Sequence, residues 1–116
     1  MPNRLWTRAL YVDLLARLPD DEEARRLRSA LDGFSDAGPL RSVFARVLLD
    51  SGQVGLPSRE SIPAPDEWIR AQFRALLGRE PNARELAVFV ETFKDPACRP
   101  AIVIQAIVSH PEYQTF

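Results

Sequence analysis

Residues 14–23, LLARLPDDEE, and residues 76–85, LLGREPNARE, are two versions of one phrase. Each has a Leu-Leu pair, an Arg two residues on, a Pro two after that, and then a short polar residue followed three places later by Glu. Setting Trp6 against Trp68 gives a constant offset of 62, under which Arg8/Arg70, Ala9/Ala71, Leu14/Leu76, Leu15/Leu77, Arg17/Arg79, Pro19/Pro81 and Glu23/Glu85 are also identical. Tyr11/Phe73, Asp20/Asn82, Leu27/Phe89 and Leu31/Phe93 keep their chemistry. Past the second predicted helix the offset shortens to 59 and VLLDSGQV falls on AIVSHPEY, a slip that a loop three residues longer accounts for. A chain that repeats itself at this period is built from two copies of one supersecondary unit.

Each copy reads as three helices. In the first, Leu5, Ala9, Val12 and Leu15/Ala16 recur at helical spacing, with Trp6, Leu10 and Leu14 widening the stripe. The helix ends at Leu18-Pro19, because a residue before proline is pushed out of the α region. Asp20 then stands as N-cap with Glu23 at the third helical position, the capping-box spacing, and Asn82 with Glu85 repeats it. The second helices bury Ala24, Leu27 and Leu31 in one copy and Leu86, Phe89, Val90 and Phe93 in the other, and stop at Gly33 and at Asp95-Pro96. The third helices begin near Pro39 and Pro100, where proline suits the first turn. They carry Leu40, Val43, Phe44, Val47 and Leu48 in the first copy, and an almost wholly apolar run from Ile102 to Val108 in the second. The stretch 51–67, with three prolines, two glycines and no periodicity, is a connecting segment. The expectation is a single all-α domain over 1–116, with about six helices as two pseudo-symmetric three-helix repeats, 3–51 and 66–115, joined by a linker at 52–65.

The 116 residues suffice for one core and not for two independent ones. Net charge is −1, so the whole-chain balance draws the protein toward neither nucleic acid nor anionic lipid. Of 15 basic residues only Lys94 is not Arg, which fits a GC-rich coding bias. A single cysteine, Cys98, excludes an internal disulfide and a zinc cluster made by this chain alone. No apolar stretch approaches the ~20 residues needed to span a bilayer. The opening Met-Pro-Asn-Arg-Leu-Trp lacks the apolar run of a signal peptide, so the chain, if complete as written, reads as cytoplasmic.

FRALLGREPNARELAVFV, followed by AIVSHPEYQTF, resembles the short helical modules of uncharacterised function in bacterial secreted and cell-envelope proteins, marked by LLGR-x-P and a later S-x-E-Y/F. LYVDLLARLPDDEEARRLRSAL is similar to the domains of unknown function that accompany planctomycete-type cytochromes c; Tyr11, Asp13, Leu14, Pro19 and Glu23 carry that match. The helix ending of that pattern is kept at Ser109-His110-Pro111-Glu112-Tyr113 and degraded at Leu49-Asp50-Ser51-Gly52. The resemblance implies a helical, modular, non-catalytic role and a cell-envelope or periplasmic context.

Candidate chemistry is sparse. His110 has Ser109 and Glu112 as its nearest partners in sequence for a catalytic or metal role, against a plain reading as a helix-end cation favoured by the dipole. Cys98 lies beside Arg99 near a helix start, where a thiolate is stabilised, but the first copy has no equivalent. With no Cys-x-x-Cys-His the chain attaches no c-type haem, and it shows neither an EF-hand spacing nor a phosphate loop. The acids at 20–23 complement the helix dipole, and Arg25, Arg26 and Arg28 read as their i,i+3 and i,i+4 partners. The paired tryptophans and the apolar last helix are the features that suggest a partner.

The reading is therefore a non-enzymatic protein–protein interaction or scaffold module of a larger bacterial assembly, with no cofactor and no metal. It contacts a protein partner or a second copy through Trp6, Trp68, Ile104, Tyr113 and Phe116. Nucleic acid is not an expected partner, because the pI is acidic. The alternative is a small ligand-binding or enzymatic domain with a pocket between the repeats near Cys98, Arg99 and His110.

Overall fold

A computed structural model describes residues 1–34 and 36–115. Its regular structure is entirely helical: α1 (Asn3–Leu15), α2 (Asp21–Asp32), α3 (Gly38–Asp50), α4 (Pro65–Leu77), α5 (Ala83–Phe93), α6 (Pro100–Val108) and a short α7 (Pro111–Gln114). A single 3-10 turn, Arg59–Ser61, interrupts the linker. The six expected helices are present; α7 is an addition, started by Pro111 at its first turn.

Helix-to-helix turns follow the same local chemistry in both halves. α1 ends with Ala16 in the left-handed region (φ 56°), and α4 ends with Gly78 in the same conformation (φ 69°). Both second helices open with complete capping boxes. The Glu23 amide donates to Asp20 Oδ1 at 2.7 Å while the Asp20 amide donates to Glu23 Oε1 at 3.0 Å, and Asn82 with Glu85 does the same at 2.8 and 2.9 Å. These boxes satisfy two otherwise orphaned N–H groups each.

The third helices keep the shortened register. At an offset of 59 the buried positions Arg41, Ala45, Leu48 and Leu49 of α3 fall on Pro100, Ile104, Ile107 and Val108 of α6, all buried. In that register α3 begins a turn earlier than α6, so the three extra residues are helix rather than loop.

Principal packing pairs are α1 with α2, α4 with α5, α3 with α6, α4 with α6, and α7 with both α4 and α6. α6 is therefore central. Six of its residues are buried and Ile102 packs partly against the core, which accounts for an apolar circumference without any partner chain. Polar bonds fix its orientation on α3: Ser109 Oγ donates to Ser42 Oγ at 3.1 Å and Arg46 donates to Gln105 Oε1 at 3.3 Å. The linker is tied down as well, since Arg59 donates to the Cys98 carbonyl at 3.0 Å and lies 4.5 Å from the Phe93 ring centroid.

Two faces differ from the expected ones. On α1 the buried residues are Trp6, Thr7, Leu10 and Tyr11, while Leu5 and Val12 face out. The helix offers apolar residues on two sides, and the side with the large aromatics buries more area. On α3, Val43 and Val47 are 55% and 61% exposed, because the face turned to α6 is the Arg41–Ala45–Leu48–Leu49 face.

The left-handed caps yield a reciprocal test. Ala16→Gly removes the strain of a Cβ in that region and is expected to raise stability by about 1 kcal/mol. Gly78→Ala, where an added Cβ meets no atom within 4 Å, is expected to lower it by about the same amount through the backbone alone. Urea unfolding of both variants checks the pair; shifts of the same sign would contradict it.

Candidate interaction surface

Three of the five residues expected at a partner surface belong to the core. Trp6 is 1% exposed, Ile104 6% and Tyr113 3%, so none is available to a partner in the folded protein. Trp68 is half-buried and stacks on Phe93 with ring centroids 5.8 Å apart, and Phe116 lies outside the described residues. The physical reason is size: in a chain this short the largest side chains are needed to close the core. Tyr113 instead ties the C-terminus to α1 by donating its hydroxyl to Asp13 Oδ2 at 2.8 Å, and burial with that carboxylate pushes its pKa upward. Trp6 has the Arg41 guanidinium carbon 5.4 Å from its ring, and among the described residues its indole N–H has no hydrogen-bond partner.

The Cys98–His110 alternative is not assembled either. Cys98 is buried, which pushes its thiol above the ordinary value, and neither it nor His110 lines the cleft that contains Arg99. His110 is the N-cap of α7, where its Nδ1 accepts the Glu112 amide at 3.0 Å. Ser109 and Glu112 are engaged elsewhere, with Ser42 and Arg79.

The repeated phrase carries an ion-pair cluster in each half. Arg79 donates to Glu85 Oε1 and Oε2 at 2.9 and 3.0 Å and to Glu112 Oε2 and Oε1 at 2.8 and 3.0 Å. One guanidinium thus joins the turn, the capping box of α5 and α7. In the first half Arg17 donates to Glu23 at 3.1 Å and to Gln53 at 3.2 Å, an amide where the second half has a carboxylate. The arginines Arg25, Arg26 and Arg28 do not pair with the acids of residues 20–23; among the described residues, Glu23 pairs with Arg17 alone.

Two of the clefts on the first half differ sharply in character. One, of about 280 Å³, lies between α1, α2 and α3, with Leu10, Tyr11, Leu27, Phe44, Val47 and Leu48 in its walls and Trp6 beside them. At the positions matching Leu27 and Leu31 the second half has Phe89 and Phe93, and there Phe73 meets Phe89 edge-on at 5.4 Å. The smaller leucines and the absence of close α1–α3 packing leave the first half open where the second is closed by α4 on α6. The other cleft, of about 470 Å³, lies between α1 and α2 and is lined by Arg4, Arg8, Arg25 and Arg28. Burial marks the first cleft and charge marks the second; neither was expected. A comparison of the two copies position by position would have flagged three of the arginines, since Asp66, Ala87 and Val90 stand at the positions of Arg4, Arg25 and Arg28, while Arg8 is matched by Arg70. Val43 and Val47 carried no such signal, because the helix period alone places them inside.

Among the described residues no helix is long and apolar enough to cross a membrane, and no group of three or more His, Cys, Asp or Glu side chains is placed to hold a metal ion. No family model, curated protein or solved structure matches the chain.

Two measurements follow from these geometries. The Arg79 pair, and next the Asn82 amide, hold the Glu85 carboxyl at about 2, below its ordinary 4.5. A depressed carboxyl stabilises the fold fully above its unfolded value and loses that contribution as pH falls through the folded value. Stability is therefore expected to fall between pH 4.5 and 2, and Arg79→Met should lower stability at neutral pH and flatten that fall; parallel wild-type and variant curves in pH-dependent urea melts would refute the assignment. Separately, Cys98 in the native protein should react with a thiol reagent roughly tenfold or more slowly than in denaturant, where its burial is lost.

Proposed function

We propose that the chain is a non-enzymatic protein-interaction module, a scaffold or accessory part of a larger bacterial assembly, that binds through its first half. The observation that carries this reading is the open apolar cleft between α1, α2 and α3, continued outward by the exposed Val43 and Val47 of α3. Apolar side chains left on the rim of an apolar cleft gain free energy when a partner covers them. A cleft of about 280 Å³ accommodates one or two apolar side chains of a partner protein. The resemblance to helical modules of bacterial envelope proteins supports the same reading, since it points to a modular role.

The test is a double charge substitution, Val43→Asp with Val47→Asp. Both residues are exposed, so the fold should change in stability by less than about 0.5 kcal/mol. Wild-type protein is expected to retain a partner in affinity purification from its native host, or to self-associate above 13.1 kDa in light scattering, and the double variant to lose that association. A 13.1 kDa monomer with no association sensitive to these two valines would count decisively against the proposal.

A further inference from the structure

We infer that the arginine groove between α1 and α2 docks an acidic helical segment of a partner protein. Arg4 and Arg8 stand one turn apart on α1, and Arg25 and Arg28 one turn apart on α2, around a space of about 470 Å³. All four are exposed, and among the described residues none forms an ion pair. Asp21 is the single carboxylate in the lining. Four cations so close repel one another in the free protein, and an anion laid between them relieves that repulsion.

The concentration is peculiar to one half of the molecule. At the matching positions the second half has Asp66, Arg70, Ala87 and Val90, and Arg70 is already paired with Glu67 at 3.5 Å. A shared folding role would need these residues in both copies, as it does for Arg17 and Arg79; Arg8 alone of the four has such a counterpart, and Arg4, Arg25 and Arg28 have none. The groove therefore has a task that the fold does not impose.

Its chemistry selects the kind of anion. Guanidinium groups bind carboxylates in a bidentate manner, and side chains one turn apart on a helix are separated by about 6 Å, the spacing of acidic residues one turn apart on a facing helix. Leu18, Pro19 and Ala24 supply an apolar floor for small side chains between those acids. Nucleic acid fits less well. The lining contains no aromatic ring on which a base would stack, and a long polyanion would meet the acids at 20–23 and a net charge of −1. The inference gives the interaction reading a partner chemistry but stands on different residues, since this groove and the apolar cleft share only Thr7.

Fluorescence anisotropy with a labelled alanine-rich helical peptide bearing glutamates one turn apart tests the inference. Wild-type protein should bind it, salt should weaken binding, and the same peptide with lysine for glutamate should not bind. Arg8→Glu with Arg28→Glu should weaken binding about tenfold or more. Arg84→Glu, an exposed charge reversal on α5, should change it by less than about twofold. Should circular dichroism show the double reversal to be unfolded, Arg8→Gln with Arg28→Gln replaces it, with a loss of about fivefold expected. The inference is overturned if wild-type protein does not bind the peptide, or if the groove variants bind as tightly as Arg84→Glu. Tighter, Arg8- and Arg28-dependent binding of a single-stranded oligonucleotide would also overturn it, reassigning the groove to nucleic acid. The Val43/Val47 double variant should bind the peptide normally, so failure of the arginine inference and failure of the valine-dependent association are separately readable.

Discussion

An apolar helix of nine residues has to be covered on nearly every side, and α6 sets that condition for the whole molecule. α3 covers one side, α4 a second and α7 a third, which is why the chain turns back after Val108 instead of ending there. Tyr113 then reaches across to Asp13 on α1 and links the last helix to the first. Full burial of a side chain such as Ile107 or Val108 is worth roughly 1.5–3 kcal/mol, so covering α6 is the largest single source of cohesion between the two halves. The surface bonds around it, Ser42–Ser109 and Arg46–Gln105, add orientation more than strength.

The second constraint is the turn between the first two helices of each half. A left-handed residue ends one helix, proline follows, and an Asp or Asn with Glu three residues on starts the next. The capping Glu is also the ion partner of the arginine after the left-handed residue, so one carboxylate serves the backbone and the tertiary contact together. That dual use explains why Arg, Pro and Glu recur unchanged at an offset of 62 while most other positions drift. The other side-chain partner of each arginine, Gln53 just past α3 in one half and Glu112 of α7 in the other, lies at the shortened offset of 59 and brings the segment after the third helix of each half into the same cluster.

These elements were legible in the sequence because they depend on near neighbours. Caps, proline starts and the glycine stop after Asp32 are all decided within four residues, and the structure has each of them where the residue pattern put it. Facing was not legible to the same degree. α1 has apolar residues on two sides, and α3 has valines where its neighbour α6 does not reach; which side is buried depends on a helix far away in the chain. The tryptophans show the same limit. Their repetition signalled importance, but a repeated Trp serves a core at least as readily as a partner, and Trp6 serves the core.

Function-bearing surface has to be sought where the two halves part company, because positions that serve folding are held in both. By that criterion the repeated phrase is uninformative about binding, and so are Trp6 and the cap acids. What remains unmatched is the open cleft beneath Leu27 and Phe44 and the unpaired arginines of α1 and α2. Both lie on the first half, where α1 packs on α2 alone among its principal neighbours and no short terminal helix closes the end. The second half has spent the corresponding surface on α6, α7 and two aromatic pairs. Such a division leaves one half to hold the molecule together and frees the other to carry charge and apolar surface that folding alone would not select.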